Sequence, residues 1–231
     1  MAKLNQEHLK QRPDRSDLEA RMNSYELAYR MQTEVPGILD ISGEKESTLE
    51  SYGIGNTKTD AFGRKCLLAR RLVEKGVRFV QAYAGNWDSH DYIQRAHGSL
   101  IRSVDKPIAA LLKDLKDRGM LEDTLVVWGG EFGRTPDAQL DADGKVKDGR
   151  DHNPDGYTFW LAGGGVKQGF SHGQTDPHGY EAIDGKLGIH DLHATILHLL
   201  GLDHKRLTFR YSGRDFRLTD VHGKVVDAFI A

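Results

Sequence analysis

The sequence predicts an α/β fold, a sheet flanked by helices, and three observations carry that prediction. Short runs rich in β-formers recur at Val77–Tyr83, Thr124–Trp128 and Tyr157–Ala162, each breaking into glycine soon after its last residue. Apolar residues at helical spacing fill the stretches from about Thr59 to Lys75, up to Arg118, and from Asp191 to Leu200. Carboxylates and histidines follow the strand ends, where open α/β sheets bind their ligands. The order strand, helix, strand and then strand, helix implies right-handed parallel connections. Residues 1–231 read as one domain, with 1–58 a helical and loop lead-in.

Taken in order, Ser16 to Gln32 is predicted helical, because Ser16 and Glu19 make a capping-box pattern and Leu18, Met22, Tyr25 and Tyr29 form an apolar stripe. Val35-Pro36-Gly37 is expected to end it. Residues 36–58, rich in Gly, Ser, Glu and Thr, read as a surface connection. The second helix carries Phe62, Cys66, Leu67, Ala69, Leu72 and Val73 as apolar residues and stops at Gly76. The long helix reaching Arg118 shows Ile101, Val104, Ile108, Leu111, Leu112 and Leu115 as its stripe, with Gly119 as its stop. Pro107 is expected to bend it or split it in two. A polar loop spans Thr135 to Gly149, and its Asp141-Ala-Asp-Gly144 tip reads as a turn, since the full EF-hand ligand spacing is absent. A glycine-rich stretch with His172 and His178 follows Gly163-Gly-Gly165, and the tail from Arg214 to Ile230 suggests one or two short strands.

Charge excludes some functions. Lys+Arg 32 against Asp+Glu 34 leaves a formal charge of -2, so no excess of one sign points to nucleic acid or an acidic membrane surface. One cysteine, Cys66, excludes an internal disulfide framework, and its place on an apolar helix face reads as core. Apolar runs are too short for a membrane span, and the opening Met1-Ala-Lys-Leu-Asn-Gln6 lacks a signal pattern, so the chain as written reads as cytoplasmic.

Histidines and carboxylates carry the chemical signal. Asp88 and His90 lie two apart in an extended segment and face one side. Asp151 and His152 are adjacent, His190 and His193 share a face at a helix start, and Glu131 follows the buried strand. This set suits zinc, manganese or iron rather than thiolate-selected metals. Singly, each histidine reads as an ordinary hydrogen-bonded residue, and Glu131 as a carboxylate paired with Arg134. Repetition of the pattern after strand ends shifts the reading toward Asp88, His90, Glu131, His152 and His190 or His193 as metal ligands. Arg134 then serves as a catalytic anion clamp, because its fork of donors suits phosphate or sulfate, with Asp151 and His172 as further substrate-binding candidates. Hydrolysis of an anionic ester is the reaction class that follows. His97, His198, His204 and His222 lack that context and read as structural, while Trp87, Trp128 and Trp160 read as core or site wall before sugar platforms.

These residues also carry a resemblance. Asp117–Pro136, with its Trp-Gly-Gly-Glu-Phe-Gly-Arg-Thr-Pro ending, Gly149-Arg-Asp-His-Asn-Pro154, Leu161-Ala-Gly-Gly-Gly165 and Asp191-Leu-His-Ala-Thr-Ile196 resemble the domain of unknown function 1501 family. Ser24–Gln32 and Arg70–Val80 extend the resemblance over nearly the whole chain. That family is usually grouped with the sulfatase and alkaline phosphatase superfamily, which implies an alkaline phosphatase/sulfatase-like sheet and a centre of two divalent metal ions, zinc, manganese or calcium. Asp88 and His90 resemble its first ligand group, Glu131 and His152 the second, and His190 or His193 the last. The sequence departs from the pattern where relatives place an Asp directly followed by His, since here Glu131 and His152 are far apart. The resemblance further implies an exported or periplasmic protein, a sulfated polysaccharide as one candidate substrate, and a preceding N-terminal half carrying the nucleophile, so this chain resembles the C-terminal half. Cys66 lacks the Cys-x-Pro-x-Arg setting of a formylglycine nucleophile.

The expected function is therefore metal-dependent hydrolysis of sulfate or phosphate esters. The alternative is a non-catalytic module on the same fold that binds carbohydrate or a partner protein. A third reading is an incomplete piece that works only with its missing half. Oligomeric state is not legible in the residues.

Overall fold

A computed structural model describes residues 2–11 and 16–231, and the side chains of Ala2, Asn5, Leu9, Ser16, Asp17 and Arg30 fall outside the description. Its helices are α1 (Ala2–Lys10), α2 (Ser16–Leu39), α3 (Glu46–Ser51), α4 (Asp60–Glu74), α5 (Ile93–Asp117) and α6 (Ile189–Leu199). Eight short strands follow α5 or flank α6: β1 (Val126–Trp128), β2 (Gly133–Arg134), β3 (His152–Asn153), β4 (Trp160–Ala162), β5 (Gln174–Thr175), β6 (Ala182–Asp184), β7 (Thr208–Tyr211) and β8 (Arg214–Arg217). Together they make a mixed α/β chain of helices and small antiparallel sheets.

The expected parallel sheet is not formed among the described residues. Strands pair two by two, β1 with β4, β2 with β3, β5 with β6 and β7 with β8, and every pair is antiparallel. Local pattern identifies a strand but not its partner, and Val77–Tyr83, which a right-handed parallel connection needs as a strand, is no strand here. That segment runs extended without a ladder: Val77 N–H donates to Leu72 O to close α4, and Lys65 Nζ donates to Tyr83 O at 2.6 Å. Phe79 and Tyr83 remain 68% and 70% exposed, so β-forming side chains alone did not create a paired strand.

The helices follow the sequence more closely. Phe62, Cys66 and Leu67 of α4 and Val104 and Ala110 of α5 close one core with Tyr52, which is fully buried. Gly76 and Gly119 adopt φ of +85° and +68° just beyond the two helices, the left-handed backbone that glycine adopts without strain. Pro107 does not split α5; it sits buried within one continuous helix. α2 runs past Val35-Pro36-Gly37 to Leu39, and Arg71 explains how: its guanidinium donates to Gly37 O, Ile38 O and Asp40 O at 2.8, 2.7 and 2.9 Å. Carbonyls at a helix end need donors, and a cationic one suits the helix dipole. The apolar stripe of α2 is only partly covered, since Tyr25 and Tyr29 are exposed, and the Ser16 cap lies outside the described side chains. Residues 36–58 are more than a surface connection, because they hold α3 and the buried Ile38 and Tyr52.

Arg70 stands on the apolar side of α4 and is 2% exposed. Its Nη1 donates to Glu74 at 2.6 Å and its Nη2 to Glu44 at 2.8 Å, while Nε lies 3.0 Å from Asp114 Oδ2 without the angle of a hydrogen bond. Tyr52 Oη donates to that same Asp114 oxygen at 3.0 Å, and Arg118 Nε donates to its other oxygen at 2.7 Å. A buried ion survives only when paired and hydrogen-bonded, and this network joins α4 to α5 and to the chain before them.

Past the core, Trp87 and Trp128 pack against it, ring centroids 6.4 Å apart and edge to face, and Trp128 stacks on Trp160 at 6.4 Å. Gly163, φ +71°, lies so close to the segment before β1 that a Cβ would sit 2.2 Å from Leu121 O, which makes the triple glycine a packing turn. The Asp141–Gly144 tip is a turn as expected, its Asp141 Oδ1 accepting from the N–H groups of Asp143 and Lys145 at 3.0 and 2.8 Å.

Candidate metal centre

Trp87 brings the core to the site. Its carbonyl accepts from His97 Nε2 at 2.8 Å and from Arg134 Nη2 at 3.1 Å, so the chain entering Asp88 is fixed on both sides. His97 is thereby structural, as its sequence context predicts. The loop 86–91 is then held against the 148–152 segment: Arg150 N–H donates to Ser89 O at 3.2 Å, and Asp148 accepts the Tyr92 N–H that opens α5. Gly149 allows the approach, since a Cβ there would sit 1.9 Å from the backbone carbon of His90. In the β2–β3 pair Arg134 stands directly across from His152, which delivers both to the face of Asp88.

Three ligand atoms converge. Asp88 Oδ1 lies 2.9 Å from His90 Nε2 and 3.0 Å from His152 Nε2, and the two nitrogens are 3.1 Å apart. Among the described residues this is the one group of three or more such side chains whose ligand atoms could share an ion. The triangle fits a metal. Donors about 2.0–2.1 Å from a zinc-sized cation stand about 3.0–3.4 Å from one another, depending on coordination number. Two imidazoles and one carboxylate also form the donor set of open, three-ligand sites.

Around the triangle the environment favours an ionised carboxylate. The Arg134 hydrogen bond to Asp88 at 2.6 Å, then that of His152, and the charge of His90 together hold the Asp88 carboxyl down to about 2. Phe132 stacks on the His152 ring at 4.1 Å and fixes its plane. Asp88, His152 and His90 are 60%, 41% and 36% exposed at the side chain, so the cluster opens on solvent.

Of the other residues singled out from the sequence, Asp151 joins the site, its Oδ1 3.9 Å from His90 Nδ1. The His152 backbone N–H and then the Gln139 side chain hold its carboxyl below the usual carboxylate range. Arg134 belongs to the site, but its donors are engaged with Asp88, Trp87 O and Arg150 O, which makes it a tie between three segments. Glu131 is exposed and outside the triangle. His190 lies against His222, ring centroids 5.3 Å apart, and His193 is exposed on α6; neither joins the triangle. His172 packs its ring edge to face with Phe229 at 6.0 Å. Trp87 and Trp128 are half-buried and pack against the core. Sequence reasoning missed Gln139, whose Oε1 is 3.1 Å from His90 Nδ1. It sits in a polar loop with no periodicity, and nothing in the residues around it marks it.

The fold and site thus define a mixed α/β chain that gathers an open centre of two histidines and one aspartate. Residues 1–230 match the family described as protein of unknown function (DUF1501), and the chain belongs to that family. No curated protein and no solved structure matches it. No helix among the described residues is long and apolar enough to cross a membrane.

Proposed function

We propose that the chain carries the metal-binding part of a hydrolase that acts on sulfate or phosphate esters. One observation supports this reading above the others: Asp88, His90 and His152 turn three ligand atoms within 2.9–3.1 Å of one another on an open surface. Three protein ligands leave positions for water or substrate, which separates catalytic from closed structural sites. A divalent cation there supplies polarisation of an ester oxygen and activation of water. Asp88, ionised down to about pH 2, keeps its carboxylate available across the neutral range. Arg134, bonded to the same oxygen, brings a positive charge beside the centre, which would favour an ester anion there.

An alkaline phosphatase-like arrangement of the sheet, a sulfated polysaccharide substrate and an exported location belong to the same proposal and rest on the sequence resemblance. Elemental analysis of the purified chain for zinc and manganese, beside release of nitrophenol from its phosphate and sulfate esters, tests it. Bound metal in the wild type, lost in Asp88→Asn and His152→Ala together with any ester cleavage, is the expected result. Equal metal content in all three proteins overturns the reading.

A further inference from the structure

His90 is held by more than its neighbours in the triangle. Its Nε2 points to Asp88 Oδ1 and His152 Nε2, while its Nδ1 points away, to Gln139 Oε1 at 3.1 Å. A neutral imidazole carries one N–H, so what faces Nδ1 decides whether Nε2 has a lone pair to give. An amide could face Nδ1 with either end. Here it is the oxygen, Oε1, that stands 3.1 Å from Nδ1, and Asp151 Oδ1 lies 3.9 Å from the same nitrogen. An amide oxygen only accepts, so the nitrogen that faces it carries the proton, and Nε2 is left to give its lone pair to a metal.

We infer that Gln139 is the positioning residue of this centre: it fixes His90 in the Nδ1–H tautomer and thereby presents Nε2 as a metal ligand. The relay runs from the Gln139 oxygen through the His90 ring to Nε2, with the Asp151 carboxylate beside it, 3.9 Å from Nδ1. Asp151 is itself anchored, since its Oδ1 accepts the His152 backbone N–H at 2.8 Å and its carbonyl accepts the Thr135 N–H at 2.9 Å. Gln139 is anchored as well. Its carbonyl accepts from Lys147 N–H at 2.7 Å, beside the Leu140–Val146 bridge, and Tyr180 Oη donates to Asp137 at 2.7 Å on the same loop. A relay of this kind raises the basicity of the ligating nitrogen and holds the ring plane, and removing such an outer partner weakens metal binding about 10- to 100-fold. The inference rests on the metal reading of the triangle, and its test separates the two.

Calorimetric titration of manganese and of zinc into the wild type, Asp88→Asn, Gln139→Leu and Gln139→Glu is the first arm. Gln139→Leu keeps the side chain's bulk but cannot accept from His90, and is expected to lose about 10- to 100-fold in affinity. Gln139→Glu keeps an acceptor toward Nδ1–H and is expected to stay closer to the wild type than Gln139→Leu. Loss of binding in Asp88→Asn with full binding in Gln139→Leu overturns this inference alone; binding that none of the variants alters overturns the metal reading and the inference with it. The second arm reads the ring protons with zinc bound, since the Asp88 oxygen 2.9 Å from Nε2 would compete for a proton without it. Long-range nitrogen–proton correlation spectra of the zinc-loaded protein should show His90 with its proton on Nδ1 in the wild type, and faster exchange of that proton with water in Gln139→Leu. A wild-type His90 protonated on Nε2 alone overturns the inference.

Discussion

Two charged clusters of similar composition lie in this chain and differ in what surrounds them. Around Arg70, three arginines (Arg70, Arg71, Arg118) meet three acids (Glu44, Glu74, Asp114), and the central guanidinium is 2% exposed. Around Asp88, one arginine and two imidazoles meet one carboxylate oxygen that is open to solvent, its side chain 60% exposed. The first cluster answers each charge with its opposite, so nothing is left for a ligand. The second turns two ring nitrogens and a carboxylate to one point, which leaves lone pairs facing the same space. Matched and buried, charge maintains a fold; convergent and open, it makes a site.

Removing the centre of the buried cluster is the strongest way to break this contrast. Arg70→Met leaves Glu44 and Asp114 facing no central cation, and breaking one side of a buried ion network costs about 3–5 kcal/mol. Urea denaturation reads that loss directly. Asp88→Asn, which removes the comparable charge of the open cluster, should leave the urea midpoint nearly unmoved while abolishing metal binding. A cost below about 1 kcal/mol for Arg70→Met, the range of surface pairs, sinks the distinction.

The next test enters the site through the backbone. Gly149 is buried, and a Cβ there would meet His90 C, His90 O and Asp91 N at 1.9, 2.1 and 2.3 Å. All three are main-chain atoms that cannot swing aside, so Gly149→Ala must push the loop carrying Asp88 and His90 away from His152. The expected cost is about 1–3 kcal/mol of stability, as overpacking gives, and a fall in metal affinity of about 10-fold or more. Unchanged affinity in a folded Gly149→Ala protein shows that the two loops are not held together as the structure has them.

How far either cluster could be read from the sequence follows from how local its signal is. Asp88, His90 and His152 were legible because in each stretch a carboxylate and an imidazole stand close in sequence, the first pair just after a strand-like run. The bodies of α4, α5 and α6 were legible for the same reason, since helical period is a local pattern. Arg70 was not, because a charge within an apolar face reads as solvent-facing until Glu44, far back in the sequence, is seen to meet it. Nor was the pairing of β1 with β4, since β-formers announce a strand and not the direction of its partner. Val77–Tyr83 shows the converse, as β-forming residues without a neighbour make an extended segment and no ladder. Glu131 and Arg134 looked alike from sequence as residues after one strand. Two-residue β2 then aligned Arg134 with His152 and left Glu131 exposed.

Acid should separate the clusters last and most gently. Asp88 titrates near 2 in the folded chain against the ordinary 3.8, so the folded state binds its proton less readily than the unfolded state does. Its contribution to stability is therefore present above about pH 4 and is lost as pH falls toward about 2. At Glu44 burial works against ionisation, but the hydrogen bonds from Arg71 and Arg70 outweigh it and hold the carboxyl below its ordinary 4.5, so acid removes stability there too. The two losses differ in consequence, because a proton on Glu44 removes one of the acids that pair a buried arginine, whereas one on Asp88 faces water that screens the change. Urea midpoints measured from pH 5 to pH 2 should place Asp88→Asn slightly below the wild type at about pH 4–5 and meet it near pH 2, with most of the shared acid loss belonging to Glu44 and its neighbours. Curves that stay parallel over that range would mean that Asp88 is not held ionised by Arg134 and His152 in the folded chain.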